Sequence, residues 1–112
     1  MKTLNQKKLE KLSDRVVSAA LIALHNRERD NFAKLVSTDA TFIHNGQPEN
    51  ILQWADAFFF GDSEVSIAVL EESADGHTIL ASIHSSTAGE LKAKMIFTIS
   101  GGKVIALNAG KG

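Results

Sequence analysis

The sequence predicts an α+β domain in which three N-terminal helices pack in the concave face of a curved, mainly antiparallel sheet. Two observations carry this. Apolar residues recur at spacings of three and four as far as Phe60, then switch to alternation from Ser63 onward. The alternating part is punctuated by Asp75-Gly76, Ala88-Gly89 and Gly101-Gly102, each a credible two-residue hairpin loop. A length of 112 residues with 44% hydrophobic content suits one domain over 1–112 with one core.

The elements follow in order. Leu9, Leu12, Val16, Ala19, Ala20, Ala23 and Leu24 form one stripe, so a first helix is expected over about 4–26. The charged Arg27-Glu28-Arg29 breaks it, and a short second helix follows near 30–36 with Phe32, Leu35 and Val36 inward. The β-branched and aromatic run 40–44 reads as a strand, closed by the turn signal Asn45-Gly46. Pro48 suits a first helical position and Glu49 a helix N-terminus, so a third helix runs to Phe60, with Gly61 as its stop. Ile51, Trp54, Ala55 and Phe58 form its main apolar face, and Phe58-Phe59-Phe60 cannot all point inward. Four strands complete the chain, at about 64–73, 78–87, 90–100 and 103–109.

If the loops hold two residues each, the register is determined. His84 then opposes Ala93, Ser82 opposes Met95, and Met95 opposes Asn108, while Glu71 opposes Leu80 and Ile67 opposes His84. One face then carries Ile67, Val69, Glu71, Leu80, Ser82, His84, Leu91, Ala93, Met95, Phe97 and Asn108. The other carries Ala68, Leu70, Ile79, Ala81, Ile83, Ile96, Ile105 and Leu107, with Lys92 and Lys94. Both faces have an apolar centre, so both are expected to be covered. Helices cover one; a second copy of the chain covers the other, giving a homodimer through the outer sheet face.

Composition excludes several function classes. The formal net charge is −1 with 22% charged residues, so no basic excess exists for a nucleic-acid partner. Lys2, Lys7, Lys8 and Lys11 read as a solvated helix face. There is no cysteine, which removes disulfides, thiolate metal sites and cysteine nucleophiles. No signal peptide is expected, and no apolar run approaches the ~20 residues that span a bilayer, so a cytoplasmic protein without membrane contact is expected. Gly101-Gly102 opens no helix and so cradles no phosphate; no nucleophile elbow is present. The four histidines lack metal-ligand spacing, so neither metal nor cofactor is expected.

Five segments resemble the nuclear transport factor 2-like superfamily, the group of ketosteroid isomerase, polyketide cyclases, scytalone dehydratase and limonene epoxide hydrolase. They are Ala23-Leu24-His25-Asn26, the run from Asp30 to Leu35, Asp39-Ala40-Thr41-Phe42, Asn45-Gly46 and Gly102-Lys103-Val104-Ile105. The resemblance covers nearly the whole chain and rests on fold signatures. It implies a cystatin-like cone: a long bent sheet around a helix, with an apolar cavity at the wide end and frequent dimerisation through the outer face. Anchored on Asp39-Ala40-Thr41, the family's general base falls at His44. The isomerase's oxyanion tyrosine falls near Ala20 and its protonated aspartic acid near Met95. Such donors supply ~10²–10³ in rate each, so that isomerase's machinery is not expected here. The epoxide hydrolase's Arg and two Asp are not evident either.

The candidate site residues follow. His44 is either a general base or polar anchor in the cavity, or a strand-end histidine hydrogen-bonded to its own turn. His84 either shares that pocket as acid, base or anchor, or is a core histidine satisfied by Ser82 or Ser86. Asn108 either donates to a ligand carbonyl or caps the last strand. Glu71, the one carboxylate on the inner face, sits at a rim and would become an acid only if buried. Trp54, Phe58, Met95 and Phe97 are expected to line the cavity, or simply to fill the core. Three functions fit: a module binding a small apolar ligand; an isomerase, dehydratase or cyclase using His44 on a small carbonyl compound; or a structural dimer with a filled cavity.

Overall fold

The computed structural model describes residues 8–61, 64–86 and 89–111. A helical turn at 8–10 precedes α1 (Arg15–His25), and α2 (Arg29–Leu35) leads directly into β1 (Val36–His44). A two-residue turn joins β1 to β2 (Gln47–Pro48), and α3 (Ile51–Phe58) follows. The chain ends in a meander of β3 (Val65–Glu72), β4 (Thr78–Ser85), β5 (Gly89–Ser100) and β6 (Lys103–Lys111). The α+β class is as the sequence predicts. All strands join one sheet of order β2-β1-β6-β5-β4-β3, in which only β1 and β6 run parallel. Among the described residues no helix is long and apolar enough to cross a membrane.

The first helix departs from the continuous stripe expected over 4–26, of which 4–7 lie outside the described residues. The chain breaks at 11–14, and Asp14 restarts it: its Oδ1 accepts from Val16 N at 2.8 Å and Val17 N at 2.9 Å. The break lets the earlier turn fold back, burying Leu9, whose carbonyl accepts from Ser18 Oγ at 2.6 Å. The third helix also starts later than expected. Pro48 lies in the edge strand β2, where its missing N–H costs nothing, and Asn50 caps α3 by accepting from Gln53 N at 3.0 Å.

The turn signals hold at two of the hairpins. Asn45-Gly46, with φ of 52° and 82°, pairs His44 with Gln47, and Gly101-Gly102, with φ of 59° and 75°, pairs Ser100 with Lys103. The β4–β5 loop differs. Ser85 pairs with Gly89, leaving three residues between them, so His84 opposes Glu90 and Ile79 opposes Met95. That odd displacement turns β4 over relative to the expected register. Two bulges add further slips, one leaving Leu70 unpaired in β3 and one leaving Ile105 unpaired in β6.

The observed inner face therefore carries Val65, Ile67, Ile79, Ala81, Ala93, Met95, Phe97, Leu107 and Ala109, all buried. Against it pack Val17, Leu21 and Leu24 of α1, Phe32 of α2, and Trp54, Ala55 and Phe59 around α3. Each large side chain fully buried there contributes roughly 1.5–3 kcal/mol. The outer face carries Lys92, Lys94, Thr98, Asn108 and His84, all exposed, with Ile96 among them. The expectation of two apolar faces thus resolves into one buried face and one mainly polar one.

α1 also closes the sheet's free margin. β3 is an edge strand, and the fully buried His25 at the end of α1 accepts the Ile67 N–H at its Nδ1, 3.0 Å away. At the other end of α1 the β3–β4 turn docks on the helix cap: His77 Nε2 lies 2.9 Å from Asp14 Oδ2, and Glu72 accepts Ser13 N at 2.6 Å.

Candidate functional site

The parallel pairing of β1 with β6 sets His44 beside Ala109, and the turn is tied down by Asn45 N donating to Ala109 O at 2.9 Å. The β1–β2 hairpin then folds Glu49 back, with its N–H donating to Phe42 O at 3.0 Å. This brings Glu49 Oε2 to 2.9 Å from His44 Nδ1. Asn45 Nδ2 lies 3.4 Å from the other ring nitrogen, Nε2. The two contacts are consistent with one tautomer: Nδ1–H donates to the carboxylate and the Nε2 lone pair accepts from the amide.

Aromatic rings hold the imidazole in place. Phe42 stacks on it at 5.9 Å between centroids and 11° between planes, while Phe58 meets it edge-on at 5.9 Å. Trp54 sits 4.8 Å from Phe42 and 6.1 Å from His44. The His44 side chain keeps 23% of its surface exposed, so it is neither sealed nor fully solvated.

Beside this cluster opens a pocket of about 280 Å³. Its wall is His44 and Asn45 from the hairpin, Trp54, Phe58 and Phe59 from α3 and its end, Ile83 from β4, Leu91, Lys92, Ala93 and Met95 from β5, and Ala109, Gly110 and Lys111 from β6. The wall is mainly apolar, with polar residues His44 and Asn45 on the hairpin and Lys92 and Lys111 on β5 and β6. That is the composition of small-molecule sites, and the volume lies just below their roughly 300–1,000 Å³.

Of the residues expected at the site, His44, Trp54, Phe58 and Met95 are brought together on this wall. Phe58 is 50% exposed and stands at the rim instead of in the core face expected of it; Phe59 takes the buried place. Phe97 is buried opposite Leu107 but lies outside the pocket wall. Three expectations are corrected. His84 is exposed on the outer face opposite Glu90, because the three-residue loop turned β4 over. Asn108 is exposed opposite Ile96, because the Ile105 bulge shifted β6. Glu71 does oppose Leu80, but beyond the Leu70 bulge that pair lies on the outer face, with Glu71 exposed and outside the pocket wall.

Glu49, Asn45 and Phe59 are the site residues that sequence reasoning missed. The signal for Glu49 was present in His44-Asn45-Gly46-Gln47-Pro48-Glu49: a two-residue turn with proline tolerated on an edge strand returns position 49 to position 44. At the places of the isomerase's oxyanion donors, Ala20 and Met95 are both fully buried and offer no side-chain donor. Among the described residues no three His, Cys, Asp or Glu side chains converge to hold a metal ion.

No protein-family model matches the sequence, and no curated protein matches it significantly. Solved structures do match the fold. A candidate polyketide cyclase from Sinorhizobium meliloti superposes with a TM-score of 0.72 at 19% identity, covering 86% of this chain and 94% of that one. An NTF2-like protein of unknown function from Cytophaga hutchinsonii gives 0.69 at 12% identity, covering 84% of each chain. An epoxide hydrolase of the LEH-like type from M. tuberculosis gives 0.66 at 16% identity, covering 88% of this chain and 80% of that one. The chain therefore has the nuclear transport factor 2-like fold.

Proposed function

We propose that this NTF2-like domain binds a small, mostly apolar molecule in the pocket beside His44, with His44 and Asn45 as its polar anchors. The observation that carries the reading is an oriented imidazole on the wall of an apolar pocket of about 280 Å³. Fold alone does not choose among functions on this scaffold.

The contact between His44 and Glu49 favours a second reading. A carboxylate on Nδ1 orients the ring and fixes its tautomer, so that a substrate displacing the Asn45 amide, 3.4 Å away, would meet the basic Nε2. Such a base on a small carbonyl compound would serve isomerisation, dehydration or cyclisation. With no oxyanion donor at Ala20 or Met95, the catalysis expected is modest, about 10²–10⁴-fold from proton transfer alone.

One compound separates the two. Binding of 1-indanone is read by quenching of Trp54, the only tryptophan; deuterium exchange at its α-carbon in D₂O, followed by NMR, reads the base. Binding with faster exchange, slowed by Glu49→Gln and abolished by His44→Gln, supports the enzyme. Quenching without faster exchange leaves the binding module alone, and absence of both overturns each reading.

The wider reading includes a cytoplasmic location and a homodimer through the outer sheet face. The dimer rests on narrower ground than the sequence offered: Ile96, 41% exposed amid polar neighbours, with the bulge residues Leu70 at 47% and Ile105 at 37%.

A further inference from the structure

We infer that the pocket is built for a monoanionic ligand, a small carboxylic acid with an aromatic or apolar body. This rests on the binding function proposed above and adds the ligand's charge. The chain as a whole is balanced, with 13 acidic and 12 basic residues. The pocket wall is not: its ionisable residues are His44, Lys92 and Lys111, and it contains no Asp or Glu. Glu49, the nearest acid to the hairpin, is turned to His44 Nδ1 and stands outside that wall.

Strand alternation identifies the cation that counts. Leu107 and Ala109 are buried on the inner face, so Lys111, two positions on, has the inward parity, opposite the buried Ala93. Lys92 opposes Ser82 and by the same alternation sends its side chain to the outer face. Among the described residues Lys111 has no ion-pair partner. An acyl body lying against Trp54, Phe58 and Phe59 would therefore end near a single ammonium at the mouth. One lysine suits a monoanion. A phosphate would call for an arginine fork or a nest of backbone N–H groups, and the wall has no arginine.

The test compares 3-phenylpropanoate with 3-phenylpropanamide, which share shape and differ in charge, by quenching of Trp54 in the wild type, Lys111→Met and Lys94→Met. Lys94 lies on the outer face and controls for net charge. The expected result is a preference for the acid of up to about fivefold, the upper end of what an exposed ion pair supplies. That preference falls with added salt, vanishes in Lys111→Met and survives in Lys94→Met. Equal binding of acid and amide, or a preference that Lys111→Met leaves intact, overturns the assignment while the binding function stands. If neither compound quenches Trp54, the binding function falls and the assignment with it.

Discussion

His77 Nε2 lies 2.9 Å from Asp14 Oδ2, so the turn between β3 and β4 is fastened to the N-terminal cap of α1. Asp14 serves three partners at once. Partial burial raises its carboxyl, but the Val17 N–H, the His77 ring and the Val16 N–H together outweigh that and hold it below the ordinary value of 3.8.

A lowered folded value stabilises the fold fully above the ordinary carboxylate value and loses that effect as pH falls through the lower one. Asp14→Asn keeps a capping oxygen and removes the charge. Urea unfolding of both proteins from pH 6 down to pH 3 should show a gap that is constant at the upper end and closes below about pH 4. Asp14→Ala should cost about 1 kcal/mol at neutral pH through the lost cap. A gap that widens with acid would contradict the assignment.

His25→Leu fills a similar space but leaves the Ile67 N–H on the sheet edge without its acceptor. The expected loss is about 1–3 kcal/mol of stability, the cost of an unsatisfied buried donor. Hydrogen exchange of the Ile67 amide should quicken more than that of its strand neighbours. An unchanged Ile67 amide would show that the histidine is only a space-filler.

These two contacts mark what could be read in the sequence and what could not. The class and five of the six strands were legible, because Asn45-Gly46 and Gly101-Gly102 are loops whose left-handed conformations leave little choice of pairing; the short β2 was read as the start of a helix. Ala88-Gly89 misled, because a left-handed glycine also begins a strand after a three-residue loop, as Gly89 does with φ of 76°. The bulges at Leu70 and Ile105 left no mark on an alternation of apolar side chains, yet they decide on which face Glu71 and Asn108 lie. His44 was found through its position at the end of β1. Its partner Glu49 was not, since an acidic residue after proline reads equally well as the start of a helix.

The outer face gives a further expectation. If the protein pairs through it, sedimentation of the wild type should report a dimer and Ile96→Lys a monomer of unchanged fold. A wild type that sediments as a monomer at all concentrations would end the dimer proposal.

The parallel pairing of β1 with β6 has a consequence for how the protein comes into being. Phe42 lies beside Leu107, and His44 beside Ala109, residues far apart in sequence. Local hairpins among β3, β4, β5 and β6 are free to close early, but the β1–β6 seam must wait for a long loop to be drawn in. Until β6 is in place, β1 has no neighbour on that side, and the ring of His44 lacks the wall that Ala109 supplies. The wall of the pocket beside His44 is therefore complete only once β1 and β6 have paired.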